Sequence, residues 1–193
     1  MNWKITSNEN YPPGNNPLGN PFYGYQKTYV ELPNGSQAKY YGIDVGSCVH
    51  IVAVEQDTTT YFVRQHRPNA RMRGSNDIPV TLELPGGFAS AEMSLVDSAH
   101  TELRQEIGKI ATQIQQIGVL LSLPGASNEH DTIFLGQGLV DADTHDKSHE
   151  PTELDMRIEA MPFGRAYDIM RKGERPVSAQ TLAGMTLAAQ YIL

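Results

Sequence analysis

The stretch from Glu83 to Gly108, ELPGGFASAEMSLVDSAHTELRQEIG, constrains the fold more than any other part of the chain. It ends a strand, turns on two adjacent glycines, and opens a helix with defined ends. Ser94 is an N-cap candidate, and Asp97 three residues on completes a capping-box pattern. Gly108 sits where a C′ glycine stops a helix. Between them Leu95, Ala99 and Leu103 form an apolar stripe, and Glu102 and Glu106 lie to one side of it, four residues apart. Residues at i and i+4 share a helix face, about one turn apart. Two carboxylates beside a turn with bare backbone carbonyls suit a hard divalent cation that prefers oxygen ligands. An isolated Glu pair at this spacing is usually a solvated face, so the metal reading depends on its context.

With 193 residues the chain suffices for one well-cored domain. Its 39% hydrophobic and 19% charged content is that of a soluble globular protein. A formal charge of −7 argues against general nucleic-acid binding, which needs a basic excess, but leaves room for a phosphate site built from a few arginines. The single cysteine, Cys48, rules out an intrachain disulfide framework and sits in the apolar run CVHIVAV, where a buried structural thiol is expected. No apolar run approaches the ~20 residues of a membrane span. The N-terminus has neither a signal-peptide nor a transit-peptide pattern, so a cytoplasmic location is expected.

Along the chain, residues Ser7 to Pro21 are crowded with Asn, Pro and Gly and are expected to be irregular. QKTYVEL and SQAKYYGID flank Pro33-Asn34-Gly35, a strong hairpin signal. CVHIVAVEQ and TTYFVRQHR form two further strands around Asp57-Thr58, and VTLEL another. After the helix come strands near Gln113 to Leu121 and Thr132 to Leu139, a polar loop from Asp141 to Thr152, and the alternating LDMRIEA. Helices over Gly164 to Lys172 and Ser178 to Ile192 close the chain. Strands first, one helix inserted, then strands and terminal helices predict an α/β (α+β) fold with a mixed sheet flanked by helices.

Laid on the Nudix box, G-x5-E-x7-R-E-U-x-E-E-x-G-U with U a bulky aliphatic, the stretch from Gly87 places Glu102, Leu103, Glu106 and Gly108 in register. Met93 replaces the first Glu, Thr101 the Arg, Gln105 the first Glu of the pair and Lys109 the last aliphatic; Glu92 is one residue out of place. Five further features resemble the ADP-ribose pyrophosphatase-like branch: the segment from Trp3 to Asp44, VRQHRP (Val63 to Pro68), ELPGG (Glu83 to Gly87), Pro124 in LPGASNE, and PFGRAYDIMRKGERPVSAQTLAGMTLA at the end. The chain therefore resembles a Nudix hydrolase of that branch along nearly its whole length, with a partly degenerate box.

The resemblance implies an α/β/α sandwich preceded by an N-terminal hairpin segment. Residues 1–45 would be a dimerisation arm and 46–193 the Nudix domain, in a homodimer. It implies Mg²⁺-dependent (or Mn²⁺-dependent) hydrolysis of the pyrophosphate of ADP-ribose or a related nucleoside diphosphate sugar, with no membrane or nucleic-acid partner. Glu102 and Glu106 would bind metal and carry catalysis, with the Gly86 carbonyl and Gln105 as further ligands. Arg67 would contact the substrate phosphates through paired hydrogen bonds. Arg64 is a second candidate, although alternation sets it on the opposite face from Val63. Gly87 and Pro124 would line the substrate site. The base would come from the loop before the last strand, Glu153 first and Glu150 second; His145 and His149 there, with Asp141, Asp143 and Asp146, read as part of a mobile polar loop. His130 is a pocket-lining candidate, and Trp3, Phe22, Tyr23 and Tyr25 are base-stacking candidates. Losing one partner of a buried pair costs ~3–5 kcal/mol, whereas neutralising both is far milder, so the joint loss of the Glu and Arg at Met93 and Thr101 reads as rewiring. Gln105 weakens the metal set, and the alternative is a Nudix domain that binds such a ligand with little chemistry.

Overall fold

The computed structural model describes residues 3–12, 15, 23–143 and 155–193, which divide into two compact units: Met1–Ser47 with Leu121–His130, and Cys48–Leu120 with Asp131–Leu193. In the first unit, β1 (Lys4–Tyr11), β2 (Gly24–Glu31) and β3 (Gln37–Asp44) form an antiparallel sheet in the order β1-β2-β3. Gly35, with φ 81°, makes the β2–β3 turn, where Leu32 and Ser36 close on each other. β1 corrects the expectation that the chain is irregular from Ser7. Its exposed, polar residues carry no strand pattern, and the strand is held by cross-strand pairs. Thr28 donates to Asn8 at 2.8 Å, and Glu9 accepts from Tyr29 at 2.7 Å and from Lys27 at 3.4 Å.

The second unit is built on a mixed seven-stranded sheet whose main path runs β10-β5-β4-β9-β8. Its strands are β4 (Ser47–Val54), β5 (Thr59–His66), β6 (Val80–Glu83), β7 (Gly86–Phe88), β8 (Lys109–Leu121), β9 (His130–Asp141) and β10 (Arg157–Pro162). β6 pairs with β5 and β7 with β4, both antiparallel. Alternation along each strand sends one set of side chains to each face. On one face Val49, Ile51, Ala53, Val63 and Phe134 pack against Ala99 and Leu103. On the other Val52, Phe62, Leu82 and Ile133 pack against α2 (Phe163–Arg171) and α3 (Ala179–Ile192). The result is the expected α/β/α arrangement. Among the described residues no helix is long and apolar enough to cross a membrane.

The inserted helix differs from expectation in one respect. It is α-helical as α1 (Leu95–Glu102), then widens into a π turn over Leu103–Ile107 before Gly108, at φ 66°, returns its N–H to the Leu103 carbonyl. Such wide turns recur at functional sites.

Candidate active site

The glycine turn sits where it does because β7 is laid antiparallel on β4, with His50 opposite Gly86 and Val49 opposite Gly87. The fit is close enough that only glycine can occupy position 86. A Cβ there would lie 2.2 Å from the Val49 carbonyl oxygen and 2.9 Å from the His50 Cα, both backbone atoms. From the other side, α1 is fixed by its cap and its apolar stripe. The Ser94 hydroxyl accepts from the Asp97 amide at 3.0 Å and donates to the Asp97 carboxylate at 2.6 Å. Ala99 and Leu103 are fully buried under the sheet.

These two constraints bring both glutamates to the turn. The Gly86 N–H donates to the Glu106 carboxylate at 2.7 Å, and Glu106 is only 8% exposed. The Glu102 carboxylate packs on Gly87, its atoms 2.8 to 3.2 Å from where a Cβ would stand. Two carboxylates thus converge on one Gly-Gly turn, which is the arrangement an oxygen-preferring cation requires.

Arg67, just past the end of β5, projects from the same face as Val63. Its guanidinium grips Glu83 at both carboxylate oxygens, Nε to Oε1 at 2.8 Å and NH2 to Oε2 at 2.6 Å. Thr81 donates to Glu83 at 2.5 Å as well. Burial alone would raise the Glu83 pKa; the hydrogen bonds from Arg67 and Thr81 and the Arg67 charge outweigh it and hold the carboxyl below its ordinary value. The Arg67 side chain is 48% exposed against 12% for Glu83, so the pair presents an oriented guanidinium at the surface.

No family profile matches the chain. It is 27% identical over 165 residues to an ADP-ribose pyrophosphatase of Mycobacterium tuberculosis (strain ATCC 25618 / H37Rv), an alignment covering 84% of this chain and 74% of that protein. A crystal structure of an ADP compounds hydrolase superposes with a TM-score of 0.75 at 16% identity, over 99% of this chain and 94% of that one. The fold is shared with the second, and the sequence with the first. The chain is thus similar in fold and in sequence to hydrolases of ADP compounds.

The departures from the Nudix box are each absorbed locally. Thr101, where the box has Arg, donates its hydroxyl back to the Asp97 carbonyl at 3.0 Å, and Met93 is 43% exposed, so neither leaves a buried charge behind. Lys109, where the box has an aliphatic, reaches Asp141 at 2.9 Å and Glu55 at 3.3 Å and lies over the Tyr61 ring. The hydrogen bond to Asp141, with that to Glu55, outweighs burial and holds the ammonium above the usual lysine range. Gln105 lies half-buried on the π turn between Arg104 and Glu106.

Arg64 is placed differently. It projects from the α2 and α3 face, with Phe62, so the sheet separates it from the Gly86–Gly87 turn. Pro124 belongs to the first unit, in a turn where Ala126 and Ser127 donate to the Leu123 carbonyl. His130 is exposed in that unit, its Nδ1 2.7 Å from the Asn128 carbonyl. Trp3 packs on Tyr40, and Tyr25 lies between Tyr11 and Tyr41 in the first-unit sheet. Glu153, Glu150, His145, His149, Asp146 and Phe22 lie outside the described residues. Cys48 is buried, as its apolar context requires.

One group near the turn carried no sequence signal. Asp131 is fully buried, bonded to His50 Nε2 at 3.0 Å and accepting from Gln180 at 3.3 Å. The His50 ring in turn lies against Gly86, its Nδ1 2.9 Å from the position of a Cβ there. His50 and Asp131 are 81 residues apart, and no local pattern links them.

Proposed function

We propose that this protein hydrolyses the pyrophosphate of ADP-ribose, or of a related nucleoside diphosphate sugar, to a nucleoside monophosphate and a sugar phosphate. The observation that carries this reading is the convergence of Glu102 and Glu106 on the Gly86–Gly87 turn. The similarity to an ADP-ribose pyrophosphatase supports it.

The candidate donors are all oxygen: the Glu102 and Glu106 carboxylates, which meet the turn, with the Gly86 carbonyl and the Gln105 amide as further ligands. That set fits Mg²⁺, with Mn²⁺ as a substitute. A bound ion would neutralise pyrophosphate oxygens and favour a water nucleophile. The chain's own groups do the positioning. The Gly86 N–H fixes the Glu106 carboxylate, Gly87 lets the Glu102 carboxylate approach the turn, and Glu83 orients Arg67 for paired hydrogen bonds to phosphate oxygens. Glu153 is the first candidate for the base that takes the proton of the attacking water, and Glu150 the second. Pro124 would contribute to the substrate site. Residues 1–45 would serve as the dimerisation arm of a cytoplasmic homodimer whose other part, 46–193, carries the chemistry.

The neutral Gln105 and the absence of a Glu–Arg brace at Met93 and Thr101 favour a second reading, a domain that binds such a nucleotide and turns it over slowly. Phosphate release coupled to a phosphatase, with and without Mg²⁺, decides between them across ADP-ribose, ADP-glucose, GDP-mannose, NADH and diadenosine polyphosphates. Mg²⁺-dependent release from one of these supports the hydrolase. Calorimetric binding of ADP-ribose with no release supports the second reading, and neither binding nor release would sink both.

A further inference from the structure

The sheet face turned toward α2 and α3 carries a concentration of arginines that the proposed chemistry does not use. In the antiparallel pairing of β5 with β10, Arg64 and Arg157 stand directly opposite each other. Like charges in that relation oppose pairing, so a chain that keeps them there stands against a local electrostatic cost. Arg165 and Arg175 add two more guanidiniums, and these two together with Arg64 act on one carboxylate, Glu159. Arg175 occupies both oxygens of Glu159, at 2.5 and 3.0 Å, and that hydrogen bonding, against burial and with the charges of Arg175, Arg64 and Arg165, holds its carboxyl low. The nearby Asp155 is engaged by His66. Among the described residues neither Arg64 nor Arg157 forms a direct ion pair with a carboxylate, although the chain as a whole is at −7. Both line an open recess of about 290 Å³ with Gln65, His66, Val80 and Asp155.

We infer that Arg64 and Arg157 form a binding site for a phosphate dianion, as free phosphate or as a phosphate monoester of a small sugar, on the sheet face opposite the Gly86–Gly87 turn. Two guanidinium forks side by side offer the paired N–H donors that a tetrahedral oxyanion accepts, and their mutual repulsion is relieved when the anion arrives. Lysine would supply charge without the fork, and the carboxylate that lines the recess, Asp155, is engaged by His66. The recess leaves room beyond the anion for a pentose, with His66, held by Asp155, at its edge.

The site is tested with the metal-free protein at constant ionic strength, by calorimetric titration of inorganic phosphate and, separately, of ribose 5-phosphate into wild type, Arg157→Gln, Arg64→Gln and Glu106→Gln. The expectation is saturable binding by wild type and Glu106→Gln, weakened about tenfold or more in either arginine variant. Tighter binding of ribose 5-phosphate assigns the recess to the monoester, and equal binding assigns it to free phosphate. Thermal unfolding gives an independent readout. Without phosphate Arg157→Gln should melt above wild type because the repulsion is gone, and phosphate should raise the wild-type midpoint but not that of the variant. The inference is overturned if wild type shows no saturable binding, if both arginine variants bind like wild type, or if Glu106→Gln loses binding as they do, which would put the anion at the turn.

Discussion

Replacing Gly87 by Ala separates the metal-site reading from a purely structural role for the turn. Neither Gly86 nor Gly87 has a positive φ, so the effect of a methyl group is one of space. At position 87 the new Cβ meets only the end of a flexible side chain, with Glu102 Oε1 at 2.8 Å. Ordinary contact begins at 3.4 Å, so the carboxylate must retreat by about 0.6 Å. Rotation about the Glu102 torsions achieves this for about 1 kcal/mol or less, a fall in Tm of under about 4 °C. A misplacement of about 1 Å can lower a rate about 100-fold, so a loss of about 10- to 100-fold in Mg²⁺-dependent turnover is expected. Gly86→Ala is the contrast. Its Cβ meets the Val49 carbonyl at 2.2 Å, and relief requires backbone movement in β4 or β7 at about 3 kcal/mol or more. Thermal unfolding and coupled phosphate release on both variants provide the assay. The reasoning fails if Gly87→Ala turns over substrate like wild type, or if the two variants are destabilised alike.

Three further outcomes are expected. Glu83 is held below its unfolded value of about 4.3, so the stability it contributes is complete above that pH and lost as pH falls through the lower folded value. Urea unfolding at about pH 5 and about pH 3 should therefore show wild type losing more stability than Glu83→Gln, and parallel losses would contradict the Arg67 pairing. Leu103→Ala removes a fully buried side chain beneath α1 and should cost about 2–5 kcal/mol in the same measurement, with a smaller change counting against that packing. Ser94→Ala deletes the N-cap acceptor and should cost about 0.5–2 kcal/mol, whereas an unchanged midpoint would mean the cap is dispensable.

What was legible in the chain was local. The Ser94–Asp97 cap, the Leu95–Ala99–Leu103 stripe and Gly108 are short-range signals, and each lies where its spacing places it. The strands from Cys48 to Leu84 follow from alternation and β-branched content. What was not legible depends on distant partners. β1 is polar and reads as loop until Asn8 and Glu9 find Thr28, Lys27 and Tyr29 across the sheet. The widening of the helix at Leu103 leaves no mark in residue type. Arg67 reads as a phosphate contact from its motif, but its grip on Glu83 joins a residue just past β5 to one on β6, sixteen positions apart. The His50–Asp131 bond joins β4 to β9, and only the folded sheet creates it.

The central claim is that Glu102 and Glu106, gathered by the Gly86–Gly87 turn, hold the metal for pyrophosphate hydrolysis. The most direct measurement compares the rate of AMP formation from ADP-ribose by wild type and Glu106→Gln at saturating Mg²⁺. Glutamine keeps an oxygen to accept from the Gly86 N–H, so the turn persists while the charge is lost. A fall of about 100-fold or more with an unchanged Tm is the predicted result. Equal rates for the two proteins would contradict the account.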